Sequence, residues 1–159
     1  ADLRASMVSL GYTDVATYIQ SGNVVFTSPR DDATAAARAI ERKIQEDTGL
    51  DVSVVALSRD QLAAVIEQNP FPEAADRPTE LHVNFLSTPP DERSFDAIDP
   101  HQFAPDEYRL GKQVMYLRCP NGVGRSKLAS YPWERRLGVR STSRNWNTVT
   151  TLLSMLDAT

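Results

Sequence analysis

The sequence predicts an α+β fold made of two tandem ferredoxin-like halves. Three observations carry that prediction. Helix-spaced apolar stripes alternate with short β-branched runs, two turn signals mark hairpins, and the order helix–hairpin–helix occurs twice. A βαββαβ unit is ferredoxin-like. The second half has its leading strand, and the first half lacks one. The expected division is residues 1–69, a connector at 70–80, and 81–159 with C-terminal helices.

The elements follow from local patterns. Leu3, Met7 and Leu10 have helical spacing, and Gly11 is a natural stop. Val15 to Gln20 and Val24-Val25-Phe26 read as strands joined by Ser21-Gly22-Asn23, a hairpin turn. Asp31 and Asp32 can cap the next helix, whose inner stripe is Ala33, Ala36, Ala37, Ile40 and Ile44, with Gly49 at its end. Asp51 to Leu57 is expected to form a strand. Ser58 with Gln61 makes a capping-box pattern before Leu62, Val65 and Ile66, and Asn69-Pro70 closes that helix.

Pro70 to Pro78 is proline- and acid-rich, as a connector between halves should be. Leu81, Val83 and Phe85 alternate with His82 and Asn84, so this strand is expected to have one buried face. Phe95 and Ile98 suggest a short helix between Pro90 and Asp99. Tyr108 to Leu110 and Val114 to Arg118 form a second hairpin around Gly111-Lys112. Ser126 can start a helix that Pro132 interrupts, and Gly138 ends it. Trp146, Val149, Leu153 and Leu156 stripe the last helix.

Composition narrows the class. Of 159 residues, 41% are hydrophobic and 24% charged, which is ordinary globular usage. No apolar run is long enough for a bilayer, and the opening residues do not resemble a signal peptide. Cys119 is the only cysteine, so no intrachain disulfide can form, which fits a reducing, cytoplasmic setting.

The net charge of -4 argues against strong non-specific nucleic-acid binding, but the charge is unevenly placed. Beyond Glu107 the acids are Glu134 and Asp157 alone. Arg109, Lys112, Arg118, Arg125, Lys127, Arg135, Arg136, Arg140 and Arg144 crowd the same stretch. Such a segment attracts anions if its charges converge. It can equally pack against the acidic first part or simply be solvated.

Several strings carry a family likeness. They are Thr17-Tyr18-Ile19-Gln20-Ser21-Gly22-Asn23-Val24-Val25-Phe26, then Asn69-Pro70-Phe71-Pro72 with Leu81-His82-Val83. Gly124-Arg125-Ser126-Lys127-Leu128 and Glu134-Arg135-Arg136-Leu137-Gly138 follow, and Thr142 with Arg144-Asn145-Trp146-Asn147-Thr148 ends the series. From Ala1 to about Leu156 the chain resembles the bacterial domain-of-unknown-function family 1697. The resemblance implies a tandem ferredoxin-like fold and no particular activity. It also implies a leading strand and a glycine-rich loop of Arg-Gly-Ile-Asn-Val-Gly-Gly type before Ala1, roughly 10–20 residues on typical element lengths. Pro132 beside Trp133 departs from the plainer helix of the family.

Three strings are candidate sites. The first is Asn121-Gly122-Val123-Gly124-Arg125-Ser126-Lys127, where Gly122 and Gly124 permit close backbone approach and Arg125, Ser126 and Lys127 offer charge and donors to a phosphate or carboxylate. A glycine turn followed by a serine cap explains most of it without a ligand. The order is not that of a Walker A loop. The second is Arg144, Asn145 and Asn147 around Trp146. Arginine binds oxyanions and asparagine reads base edges, yet a helix-capping box with a core tryptophan explains the same residues. The third is the hairpin tip Gln20, Ser21 and Asn23, for which a plain turn suffices.

Catalytic chemistry has little support. His82, His101 and Cys119 are too few and too scattered for a zinc centre, and nothing brings a Cys–His dyad together. No cofactor or metal signature is visible. The leading functional expectation is a binding module for a phosphate-bearing ligand, either a nucleotide or nucleic acid. A small enzyme acting on an anionic substrate and a homodimeric interaction domain are the alternatives.

Overall fold

The computed structural model describes residues 3–19 and 22–158. It is an α+β protein with two separate antiparallel sheets, one of two strands and one of four. The chain divides into two compact units, Ala1–Ala63 with Thr151–Thr159, and Ala64–Thr150.

The first unit opens with α1 (Leu3–Ser9) and the hairpin β1 (Thr13–Tyr18) and β2 (Asn23–Thr27). A bulge falls between Thr13 and Ala16. Asp14 takes φ 53° there, a conformation aspartate tolerates better than most residues. The helix α2 (Ala33–Thr48) is capped as its sequence predicts. Asp32 Oδ1 accepts from the Ala35 N–H at 3.0 Å, and Gly49 ends the helix at φ 76°. Met7, Tyr12, Val15, Ala36 and Ile40 form the core of this unit, with Val24, Phe26 and Ile44 packed on it.

One predicted strand is absent. Residues 51–57 make no ladder among the described residues. A strand exists only where another strand completes its hydrogen bonds, and residues 51–57 pair with neither β1 nor β2. The Val54 N–H is met instead by Glu41 Oε2 of α2, at 2.8 Å. The reciprocal capping box that follows is real. Ser58 N donates to Gln61 Oε1 at 2.8 Å, and Gln61 N donates to Ser58 Oγ at 3.1 Å, opening α3 (Arg59–Glu67).

In the second unit, β3 (Leu81–Leu86), β4 (Glu107–Leu110), β5 (Val114–Arg118) and β6 (Ser141–Asn145) form one sheet in the order β4-β5-β3-β6. The expected helix near residues 90–99 is instead two 3-10 turns, Glu92–Phe95 and Pro100–Phe103. Asp91 and Asp99 cap them. The helices α4 (Lys127–Ser130) and α5 (Trp133–Leu137) are short because Pro132 separates them. The strand β6 leads straight into α6 (Trp146–Asp157). In α6, Trp146 and Val149 are buried, as expected of a core stripe.

The register assigns the sheet faces, because directly paired residues share a side and neighbours alternate. His82 pairs with Leu117 and Asn145, and Asn84 with Met115 and Ser143. These residues, with Leu86 and Cys119, face α4 and α5 over a core of Leu86, Ile98, Phe103, Met115, Leu117, Cys119, Leu128, Trp133 and Leu137. Leu81, Val83, Phe85 and Tyr116 take the opposite face, where Tyr116 Oη donates to the Val65 carbonyl of α3 at 2.6 Å. Both faces of β3 are therefore covered, which differs from the single buried face its alternation suggests.

Candidate functional site

The α4 side of the sheet holds a cavity of about 250 Å³, lined by His82, Asn84, Leu117, Val123, Ala129, Ser130 and Ser143. Three strands and one helix meet there. The residues β3 sends to this face are His82 and Asn84, flanked by Leu117 of β5 and Ser143 of β6. Ala129 and Ser130 of α4, with Val123 before it, close the other side.

Two polar groups in this layer are left without partners. Asn84 is only 6% exposed, yet its carboxamide makes no hydrogen bond with any described residue. Its amide atoms are not among the fully buried unpaired ones, so they stay open to the cavity and its solvent. His82 Nδ1 is buried and also unpaired. Burial pushes the His82 imidazole below its ordinary range, so the ring is neutral. Nε2 is the ring nitrogen left open to a partner. Ser130 Oγ is committed, donating to the Ser126 carbonyl at 2.8 Å.

The glycine-rich junction forms the rim of this layer. Gly122 has φ 83° and turns the chain after β5, its N–H donating to the Cys119 carbonyl at 2.8 Å. Gly124 has open space where a Cβ would sit, so the backbone there approaches nothing closely. Ser126 is 5% exposed and its hydroxyl is saturated. It donates to Asp106 Oδ2 at 2.6 Å and accepts from the Ala129 N–H at 3.0 Å. The Cys119 Sγ lies 3.5 Å from the same oxygen and, with the serine proton already given to Asp106, is the donor. Arg125 and Lys127 are exposed, and neither side chain meets an acidic partner among the described residues. They sit between Val123 and Ala129, both of which line the cavity.

The other predicted residues are placed elsewhere. Arg144 pairs with Val83, so it leaves the sheet on the face opposite to His82 and Asn84. Its guanidinium donates to the Ser143 carbonyl at 2.8 Å, and burial lowers its pKa from the ordinary arginine value. Arg144 and Lys127 therefore do not share a face. Asn145 ends β6 and caps α6, with Oδ1 accepting from the Thr148 N–H at 2.8 Å. Asn147 is exposed in the first turn of α6. Asn23 begins β2 in the first unit and donates from Nδ2 to the Tyr18 carbonyl at 3.1 Å. Gln20 and Ser21 lie outside the described residues.

Elsewhere the basic residues are partly engaged. The Arg109 guanidinium lies 5.6 Å from the Phe71 ring, and that of Arg136 lies 5.7 Å from Tyr131. Arg118 pairs with Glu107 at 3.4 Å. Among the described residues no group of three or more His, Cys, Asp or Glu is placed to hold a metal, and no helix is long and apolar enough to cross a membrane.

Sequence reasoning missed His82 and Asn84 as a pair. The available signal was their i, i+2 spacing within an apolar strand, which puts two polar side chains on one face. It also missed β6, whose Ser-Thr-Ser-Arg-Asn string has no apolar alternation.

Comparison with known proteins agrees with the architecture. The solved structure described as conserved bacterial protein SP0830 from Streptococcus pneumoniae is similar in fold, with a TM-score of 0.73 at 21% identity. The likeness covers 97% of this chain and 86% of that one. No curated protein matches the sequence. Residues 1–116 match the family described as protein of unknown function DUF1697, and the chain belongs to that family.

Proposed function

We propose that the protein is a binding module for a small phosphate-bearing ligand, seated in the cavity between β3 and α4. The observation that carries this reading is Asn84, a residue only 6% exposed that lines the cavity, with a carboxamide that makes no protein hydrogen bond among the described residues. A largely buried residue whose amide stays open to a cavity offers that donor and acceptor to a ligand.

The size and charge of the surroundings favour the phosphate-bearing class. At about 250 Å³ the cavity is below the roughly 300 Å³ where pockets for whole drug-sized ligands begin. It suits one ring-sized group, with a charged remainder kept at the rim. Arg125 and Lys127, flanked in sequence by cavity-lining residues, supply positive charge there. The ferredoxin-like reading of the second half is part of this proposal. The order β4-β5-β3-β6, with β3 leading in sequence, supports it.

Thermal shift tests the reading. A mononucleotide or sugar phosphate at about 100 times its dissociation constant adds roughly 2.7 kcal/mol and raises Tm. The double variant Arg125→Ala/Lys127→Ala is expected to weaken binding about tenfold, while Arg144→Lys leaves it unchanged. Tm unmoved by every phosphate-bearing probe at millimolar concentration would remove the proposal.

A further inference from the structure

We infer that the buried end of the cavity reads the in-plane edge of a nucleobase through Asn84, so that the ligand is a nucleotide rather than a sugar phosphate or free phosphate. This deepens the phosphate-ligand reading above and rests on it.

The chemistry of the lining separates the candidates. The cavity walls contributed by Leu117, Val123 and Ala129 are apolar. The polar groups on the sheet side are the Asn84 carboxamide, the His82 ring and the Ser143 hydroxyl. A sugar ring carries hydroxyls around its whole rim. Several would be buried against Leu117, Val123 and Ala129 without partners, which is costly. A planar heterocycle has the opposite distribution, with two apolar faces and its donors and acceptors confined to the edge. Its faces suit the three apolar residues, and its edge suits the polar groups of β3 and β6.

Asn84 supplies the matching pair. A carboxamide offers one acceptor and one donor side by side in a plane, which is the complement of the adjacent donor and acceptor on a base edge. The strand that carries it is paired on both sides, at Met115 and at Ser143, so its backbone position is set before a ligand arrives. His82 lies two residues away on the same face, and with Nδ1 buried its Nε2 is the nitrogen left to meet the ligand. A neutral ring beside a neutral amide favours an uncharged group at this end. The phosphate is then left to Arg125 and Lys127.

Isothermal titration of the full chain tests this with four probes: adenosine and uridine monophosphates, ribose 5-phosphate, and inorganic phosphate. At least one nucleotide is expected to bind ten times or more tighter than ribose 5-phosphate. Asn84→Leu, close to isosteric but without donor or acceptor, is expected to erase that gap while leaving ribose 5-phosphate unchanged. In the unmodified protein, the Asn84 side-chain amide resonances should shift on nucleotide addition and not on ribose 5-phosphate addition, a readout that needs no variant to fold. Equal affinity for ribose 5-phosphate and the nucleotides, or nucleotide binding that leaves the Asn84 amide unmoved, overturns the inference and leaves the phosphate reading standing. Absence of binding by all four probes overturns both.

Discussion

The Ser126 hydroxyl donates to a carboxylate oxygen of Asp106 at 2.6 Å, and both side chains are buried. The same hydroxyl caps α4 through the Ala129 N–H and receives the Cys119 thiol. One atom thus ties the end of β5, the segment before β4 and the start of α4. Ser126→Ala loses a helix cap and strands the Asp106 carboxylate. On typical costs of about 1 kcal/mol for a cap and 1–3 kcal/mol for an unpaired buried group, it should destabilise by about 2–4 kcal/mol. Urea unfolding measures this, and an unchanged midpoint contradicts it. Complete burial, aided by the Asp106 charge and opposed by the Ser126 hydrogen bond, raises the Cys119 thiol pKa and keeps it protonated and out of reach. Alkylation by a thiol reagent should therefore proceed only as fast as the protein opens.

Tyr116 Oη lies 2.6 Å from the Val65 carbonyl, near the C-terminal end of α3. Burial pushes its pKa up to about 12 from 10.0. The folded value lies above the unfolded one. The associated stability is therefore intact below pH 10 and lost as pH rises through that value toward about 12. Tyr116→Phe should make the alkaline decline of Tm shallower. A decline of identical slope in the variant would show that Tyr116 is not responsible.

His82 gives the acidic counterpart. Its folded pKa is held below the ordinary 6.5 by burial, and its neighbours on that sheet face, Asn84, Leu117, Ser143 and Asn145, carry no charge. A depressed folded value means stability that is present above pH 6.5 and lost as pH falls below it. His82→Gln should therefore lose less Tm than the natural protein between pH 7 and pH 5. An imidazole that titrates at its ordinary value in a proton NMR series would rule this out.

Gly111 is required where Gly124 is not. A Cβ at Gly111 would sit 2.6 Å from Val114 Cγ2 and 3.1 Å from Tyr116 Cε2, whereas one at Gly124 meets nothing within 4 Å. Gly111→Ala should cost about 1–3 kcal/mol through overpacking, and Gly124→Ala should be close to neutral. Equal unfolding midpoints for the two variants would count against this.

The contrast between these glycines shows what the sequence can and cannot reveal. Gly124 stands in a string that looks built for close backbone approach, and Gly111 in one that looks like a plain hairpin turn. Crowding depends on which side chains reach across the hairpin, and no local pattern records that. Local signals worked where their physics is local. Asp32, Gly49 and the Ser58–Gln61 box act within one turn of helix, and each is where its spacing predicts. The strand at 51–57 failed because pairing is a property of two segments. The polar string at 141–145 became a strand because β3 offered it a partner. Asn84 looked outward for the same reason, since alternation cannot tell solvent from a second packed layer. Arg144 and Lys127 do not meet because the pleat turns Arg144 to the sheet face opposite the one that α4, which carries Lys127, covers.

The joint between β6 and α6 contains no spare residue, with Asn145 ending one and Trp146 beginning the other. Strand phase and helix phase are geared together at that point. Inserting one residue there must either invert which β6 side chains face the cavity or rotate α6 by about 100° about its axis. Ser143 beside Asn84 and Trp146 in the core are thus one setting of a single mechanism. A change that moves either one resets the other.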